Sequence, residues 1–539
     1  MEHYLSGLLA IPLLLALATA FLPEHGDRPV YHRFAAWGSG LLFIYSLVPL
    51  LGGWPPLVER FAWFPQLGIH YALGMDGISL SLVILTTFLL FMAVIASFSN
   101  IQHRLKLYYS MLFVLITAVL GVFISRDLFL FFLFWELELI PMYLLIAIWG
   151  GPRRDFAAMK FVLYTLFGSV FLVAGLVGFY FIARSMGIAT TDLFLFDSIT
   201  KTVQLGLPVA TQALLFLAFF TTFAIKLPMV PFHTWLPDAH VEAPTPISML
   251  LAGILLKMGA YGMLRLCFEM FPAAAATMVP YIALLALINI VYTAGVALVQ
   301  ADLKKLIAYS SVSHMGFVLL GLAALNAPGL SGAVFVMLSH GVVSAALFMC
   351  VGTLYLRTHT RQIADYGGFG AQVPVLFYFF LFMAMASLGL PLLISFAGES
   401  LVLYGAFLSN AVQTLALGNW IVPMTMQQIT VVSAIGIVIG AAYLLWMLQR
   451  VFFGTFNSAR WAKLPDATPS EVVVLASLTL LVLAYGIYPR GLTQIYEADV
   501  IRLLMPYQQI FSAQANSPKL APSQLRPKPS GLLSAAKES

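Results

Sequence analysis

The chain has 539 residues, 61% of them hydrophobic and only 9% charged, and its mean hydropathy is +0.95. That places it in the membrane class and leaves no room for an independent soluble catalytic domain. The net charge of +5 comes from bases scattered singly and in pairs among the loops, which reads as topology signals and not as a nucleic-acid surface.

Apolar windows long enough to cross a bilayer recur from the N-terminus to about residue 487. They predict an all-α, multi-pass integral membrane protein of about 14 transmembrane helices. Their approximate extents are 4–22, 30–52, 76–98, 107–125, 127–149, 158–183, 208–226, 243–267, 276–299, 303–325, 329–356, 372–408, 430–453 and 470–487. The first run, Leu5 to Leu22, lacks a basic flank and a small-residue cleavage pattern, so it is expected to be the first span and not a removed signal. Bases such as Arg104, Lys106, Arg153, Arg154, Arg357 and Arg361 gather in loops after odd-numbered spans. These loops are expected to face the cytoplasm or stroma, with both termini on the opposite side.

The expected organisation is N-terminal helices over 1–106, a five-span unit over 107–267, a second over 276–453, a C-terminal transmembrane helix within 454–507 and a flexible tail over 508–539, which is rich in Ser, Pro and Lys. In each unit the fourth span is interrupted, by KLPMVP in the first and by GLPLLISFAGE in the second. Five is odd, so the units would enter the membrane in opposite directions, as two inverted repeats each containing a broken helix.

The first break follows Lys226, and Lys257 lies in the next span. An ammonium at a helix centre costs about 2.5–3.5 kcal/mol on insertion scales, so each is a functional candidate that needs a partner. Snorkelling from a helix end is the bland alternative, and it suits Lys257 better than Lys226. Glu136 and Glu138 stand in FLFWELELIPMYLL without a neighbouring base. Burial disfavours their charged form, and pairing with Lys226 is the obvious relief. Positions two apart on a helix point to different sides, so at most one of them should face that lysine. His314 and His340 fall in the tenth and eleventh spans beside small residues, which suits proton relay. Glu399 follows the second break.

No H-x-x-x-H or Cys/His cluster offers metal-ligand spacing, and His233 and His240 have no third partner nearby in sequence, so no metal site is expected. Cys267 and Cys350 are far apart and can hold neither an iron–sulfur cluster nor a disulfide framework. With no glycine-rich phosphate loop either, no cofactor is expected in this chain.

The segments LGMDGIS (73–79), FWELELIPMYLLIAIWGG (134–151), KFVLYTLFGS (160–169), KLPMVPFHTWLPDAHVEAPTPISMLLAGILLKMGAYG (226–262), QADLKKLIAYSSVSHMGF (300–317) and MLSHG (337–341) closely resemble the antiporter-like subunits of respiratory complex I. WELELIP and the RTHT at 357–360 look like the chain-4 type found in cyanobacterial and plastid NAD(P)H–quinone oxidoreductases. The resemblance implies a proton-pumping site in which Glu136 pairs with Lys226, Lys257 and His314 form a central relay with His340, and Glu399 is the terminal exchange group. It implies plastoquinone, iron–sulfur clusters and the electron donor in other subunits, and as partners neighbouring antiporter-like subunits, membrane lipids and, in some complexes, a CO2-hydrating peripheral subunit. It also implies a thylakoid location.

One departure stands out. The family commonly has GLPG at the second break, where this chain has Gly389-Leu390-Pro391-Leu392. That substitution points to a specialised paralogue of a CO2-uptake complex as one alternative. A stand-alone Mrp-type cation/proton antiporter subunit is another.

Overall fold

The computed structural model describes residues 3–22, 28–52, 57–188, 190–412, 415–417, 420–422, 424–456, 458, 461 and 464–516. Thirteen helices among them are long and apolar enough to cross a membrane. In chain order the helices that matter below are α1 Tyr4–Phe21, α2 Pro29–Leu51, α3 Gly77–Asn100, α4 Leu105–Ile124, α5 Leu128–Trp149, α6 Arg154–Ser185, α7 Val209–Lys226, α8 Thr245–Glu269, α9 Pro272–Leu298, α10 Leu303–Ala323 and α11 Ala327–Thr358. The expected span over 372–408 is two shorter apolar helices, α12 Pro374–Ser387 and α13 Ile394–Leu408. Then come α14 Met426–Phe452 and α15 Pro469–Ile487.

Short polar side chains set the helix starts. Asp76 accepts from the Ser79 amide at α3, Asp127 from Phe129 and Leu130 at α5, and Asp302 from Lys305 at α10. Each satisfies amides that have no partner inside the helix, a demand that a bilayer makes absolute. Thr425 with Gln428 and Thr468 with Glu471 form reciprocal capping boxes at α14 and α15.

A hairpin of β1 Leu57–Phe64 and β2 Ile69–Met75 precedes α3. Gly68, at φ 70°, ends the short turn that joins the two strands. Glu59 on β1 closes the amide end of α1, accepting from Leu5 at 2.6 Å and Ser6 at 3.1 Å.

The core is built on α8 and α11, whose apolar windows are wholly buried, whereas those of α6, α14 and α15 leave most residues facing outward. In α8, π-helical turns at Leu251–Leu255 and Met263–Glu269 flank Lys257. Such turns commonly mark functional positions.

The hairpin was not foreseen in an all-α reading, and neither was a last helix. After α15 the chain forms α16, Arg490–Asn516, a helix mixing polar and apolar residues that runs into the stretch expected to be tail. Residues 517–539 of that expected tail lie outside the described residues.

Candidate functional site

The chemistry gathers where helices fail. α7 ends at Lys226, because Pro228 and Pro231 cannot donate to carbonyls of the preceding turn. Asn289 of α9 holds the released backbone: its Oδ1 accepts from the Val230 amide at 2.7 Å, and its Nδ2 donates to the Val312 carbonyl at 3.3 Å. Trp235, beginning a short helix Trp235–Glu242, donates through its indole to the Ile225 carbonyl at 2.9 Å. Gly259 of α8 allows the close approach here, since a Cβ there would meet the Leu227 nitrogen at 2.6 Å.

Lys226 is buried at this helix end and bonded to a buried carboxylate, that of Glu138 and not Glu136. The ammonium also stands over the rings of Phe161 at 5.0 Å and Trp135 at 5.7 Å. This corrects the pairing implied by the resemblance. Pro141 withholds its amide from Leu137, α5 is interrupted at Glu138, and the two carboxyl groups leave the helix in different directions. Glu136 turns towards Ser169 of α6 and is only partly buried, with its Oε1 unpartnered among the described residues.

Lys257 does not snorkel, which rules out the bland alternative for it. It is fully buried in α8, donating to the Ala252 carbonyl at 2.5 Å and contacting His340 Nδ1 at 2.7 Å. Donation from a Lys257 ammonium to His340 Nδ1 requires the tautomer with its ring proton on Nε2. That Nε2 has no partner among the described residues.

The His340 ring centroid lies 5.5 Å from that of His314. His314 Nδ1 is 3.0 Å from Glu399 Oε1, and its Nε2 is 3.4 Å from Ser387 Oγ. A small cavity of about 10 Å³, lined among others by His314, His340, Ser387, Ser395 and Glu399, joins these groups. It has room for about one water.

Of the six sequence candidates, four therefore form two direct contacts, Lys257 with His340 and His314 with Glu399, and the cavity links the two. Lys226 reaches Glu138 instead of Glu136. Three polar residues escaped the sequence reading: Asn289, Arg265 and Asp76. A lone Asn or Arg in an apolar run was the available signal. His240, considered earlier only as a metal ligand, is buried and stacked on Phe348 at 4.3 Å, with neither ring nitrogen partnered among the described residues. Among the described residues no group of three or more His, Cys, Asp or Glu is arranged to hold a metal.

Helices broken at membrane depth beside buried, hydrogen-bonded ionisable groups define a polytopic ion-translocating membrane protein. The chain belongs to the NADH:quinone oxidoreductase/Mrp antiporter membrane family, whose profile matches residues 125–425. A second profile, NADH-ubiquinone oxidoreductase chain 4, amino terminus, matches residues 36–125.

It is 43% identical to NADH-quinone oxidoreductase subunit M of Rhodobacter capsulatus, over 94% of this chain and 97% of that one. It is 40% identical to NAD(P)H-quinone oxidoreductase chain 4 1 of Synechococcus elongatus, over 94% and 92%. Among solved structures, a chain of respiratory complex I from Thermus thermophilus with bound NADH superposes with a TM-score of 0.78 at 28% identity, covering 93% of this chain and 99% of that chain. A chain of the Mrp complex from Dietzia sp. DQ12-45-1b shares the fold, with a TM-score of 0.78 at 19% identity over 95% and 99%.

Proposed function

We propose that this chain is the proton-translocating membrane subunit of an NAD(P)H– or ferredoxin–quinone oxidoreductase, driven by electron transfer in other subunits. The observation that carries the reading is the succession of buried contacts Glu138–Lys226, Lys257–His340 and His314–Glu399 in an otherwise apolar bundle. The relatives named subunit M and chain 4 supply the redox context. The oxidoreductase and Mrp assemblies among the similar structures point to neighbouring antiporter-like subunits and lipids as its surroundings. Likeness to cyanobacterial chains supports plastoquinone and a thylakoid membrane.

The two-unit organisation is part of the reading. Asp127 and Asp302 each cap the second helix of a unit. Each also bridges to the loop after that unit's third helix, at Leu195 and Gln362. The fourth helix is interrupted in both, after Lys226 and between α12 and α13.

In this mechanism a charge displacement along the membrane separates Glu138 from Lys226. The lysine, left without its counter-charge in a dry site, passes its proton towards Lys257. Lys257 hands a proton to His340 Nδ1, the cavity water carries one on to His314, and Glu399 releases it. Lys226 then takes up a proton from the entry side as the first pair re-forms, which resets the unit. Leaving one partner of a buried pair uncompensated costs about 3–5 kcal/mol, comparable with the ~3.5 kcal/mol of moving one charge against ~150 mV. The test is proton pumping by the assembled complex carrying Lys226→Ala or Glu138→Gln. Strong loss with quinone reduction retained is expected, and normal pumping in both variants would remove the pair from the mechanism.

A further inference from the structure

A second set of polar groups lies on the same helix as Lys257, towards the other end of the bundle. Lys257, Tyr261 and Arg265 stand four residues apart on α8 and therefore share a face. The Tyr261 hydroxyl donates to the Phe123 carbonyl at 2.8 Å and lies 3.0 Å from Ser79 Oγ. Ser79 is in the first turn of α3, and its amide donates to Asp76 at 3.0 Å. Two bonded hydroxyls, Tyr261 and Ser79, thus stand between the level of the central lysine and a carboxylate near the end of the bundle where α3 and α5 begin and α8 finishes.

At that end the hydroxyls meet fixed charge. The Arg265 guanidinium is wholly buried, spans both Asp76 oxygens at 2.5 Å and stacks over the Tyr261 ring at 5.2 Å. Arg126 and Arg502 reach the same carboxylate at 3.0 and 2.9 Å. Arg265 also binds Glu269 at 3.0 Å, while Asp499 of α16 accepts from the Gly77 amide at 2.7 Å. Arg502 is half exposed, so the cluster reaches the surface. Burial pushes the Asp76 carboxyl up, but the guanidiniums of Arg265 and Arg126 and the Ser79 amide outweigh it and hold the group well below the usual carboxylate range.

Resting on the relay proposed above, we propose that Arg265 and Asp76 form a charge plug. It closes this hydroxyl path, so that a proton on Lys257 must go sideways through His340 to Glu399. A carboxylate clamped by three guanidiniums is a poor resting place for a proton, and the innermost guanidinium repels one arriving by way of the two hydroxyls. Buried arginines exclude cations from pores by the same electrostatics. None of these three groups touches the relay directly, so Arg265 acts here by positioning charge.

The test is passive proton entry into vesicles containing the assembled complex, under an imposed pH gradient and with no electron donor. Arg265→Gln removes the innermost of the three guanidiniums on Asp76 and should raise the leak about tenfold, the factor expected when a unit charge some 12 Å from the lysine is removed at an effective dielectric constant of about 20. Arg265→Lys should stay tight. Adding Asp76→Asn to Arg265→Gln should seal the leak again by removing the acceptor. Arg126→Gln, which leaves α8 untouched, should leak in the same direction by less.

A tight Arg265→Gln complex, a leak indifferent to Asp76→Asn, or failure of both the Arg265→Gln and Arg126→Gln complexes to assemble would overturn the plug. Because the complex is idle, the leak does not depend on the opening of the Glu138–Lys226 pair. A failed relay would show instead as normal pumping in the Glu138 and Lys226 variants.

Discussion

The two ends of the buried relay solve opposite problems with similar parts. At one end, Glu138 and Lys226 are sealed, with aromatic rings over the ammonium and side-chain exposures of 0% and 1%. At the other, His314 and Glu399 show 14% and 6% and face a cavity shared with serines. Both sit at a helix break, but the first places a cation at the carbonyl end of α7, where the helix dipole favours it, and the second places a carboxylate beyond the break, in α13. A dry pair responds to distant charge because little screens it, and a wet pair can exchange its proton. In the proposed relay it is this difference in solvation, more than residue type, that would divide the labour.

The comparison breaks most readily at the dry pair. Lys226→Ala should nearly abolish pumping, because it leaves Glu138 buried and unpaired at a cost of about 3–5 kcal/mol. Proton uptake per electron in reconstituted complex measures it. Glu138→Gln should do as much, and Glu136→Gln clearly less, because Glu136 does not touch the lysine; an equal or larger loss from Glu136→Gln would restore the pairing the family resemblance implied.

At the wet end, Glu399→Gln should slow proton release with a smaller loss of pumping, since water in the cavity can replace part of its contact with His314. Ser387→Ala removes only a long hydrogen bond to His314 and should change the rate within the roughly 0.5–1.5 kcal/mol of one such bond, measured in the same assay.

The smallest expected effect concerns Leu392, which occupies the usual glycine position with φ at +70°. A leucine there carries about 1–2 kcal/mol of backbone strain, much of it offset in a glycine variant by the roughly 0.4–1 kcal/mol of extra freedom that glycine has in the unfolded chain. Leu392→Gly should therefore raise the thermal stability of the purified complex slightly, read as a small increase in Tm. The neighbouring Gly389, at φ +74°, tolerates no such change, because a Cβ would also stand 2.9 Å from Glu399 Oε2.

Composition and the recurrence of apolar windows were enough to determine a multi-pass helical membrane protein, and the prolines at 228, 231 and 391 marked both interruptions. These features are local: hydropathy and the loss of an amide donor act on the chain wherever it goes. The six ionisable candidates were also legible, because a charge in an apolar run is conspicuous whatever surrounds it. Which carboxylate takes Lys226, the burial of Lys257 against His340 and the convergence of three arginines on Asp76 were settled only by packing. Pairing depends on helix rotation, kink direction and contacts between residues up to hundreds of positions apart, as with Asp76 and Arg502. None of that is written in the spacing of residues along one helix. α16 escaped for a related reason: its mixed polarity falls below any membrane-span signal, and its place is fixed by the α3 amide, the Asp76 cluster and the carbonyl that Tyr507 reaches on α8.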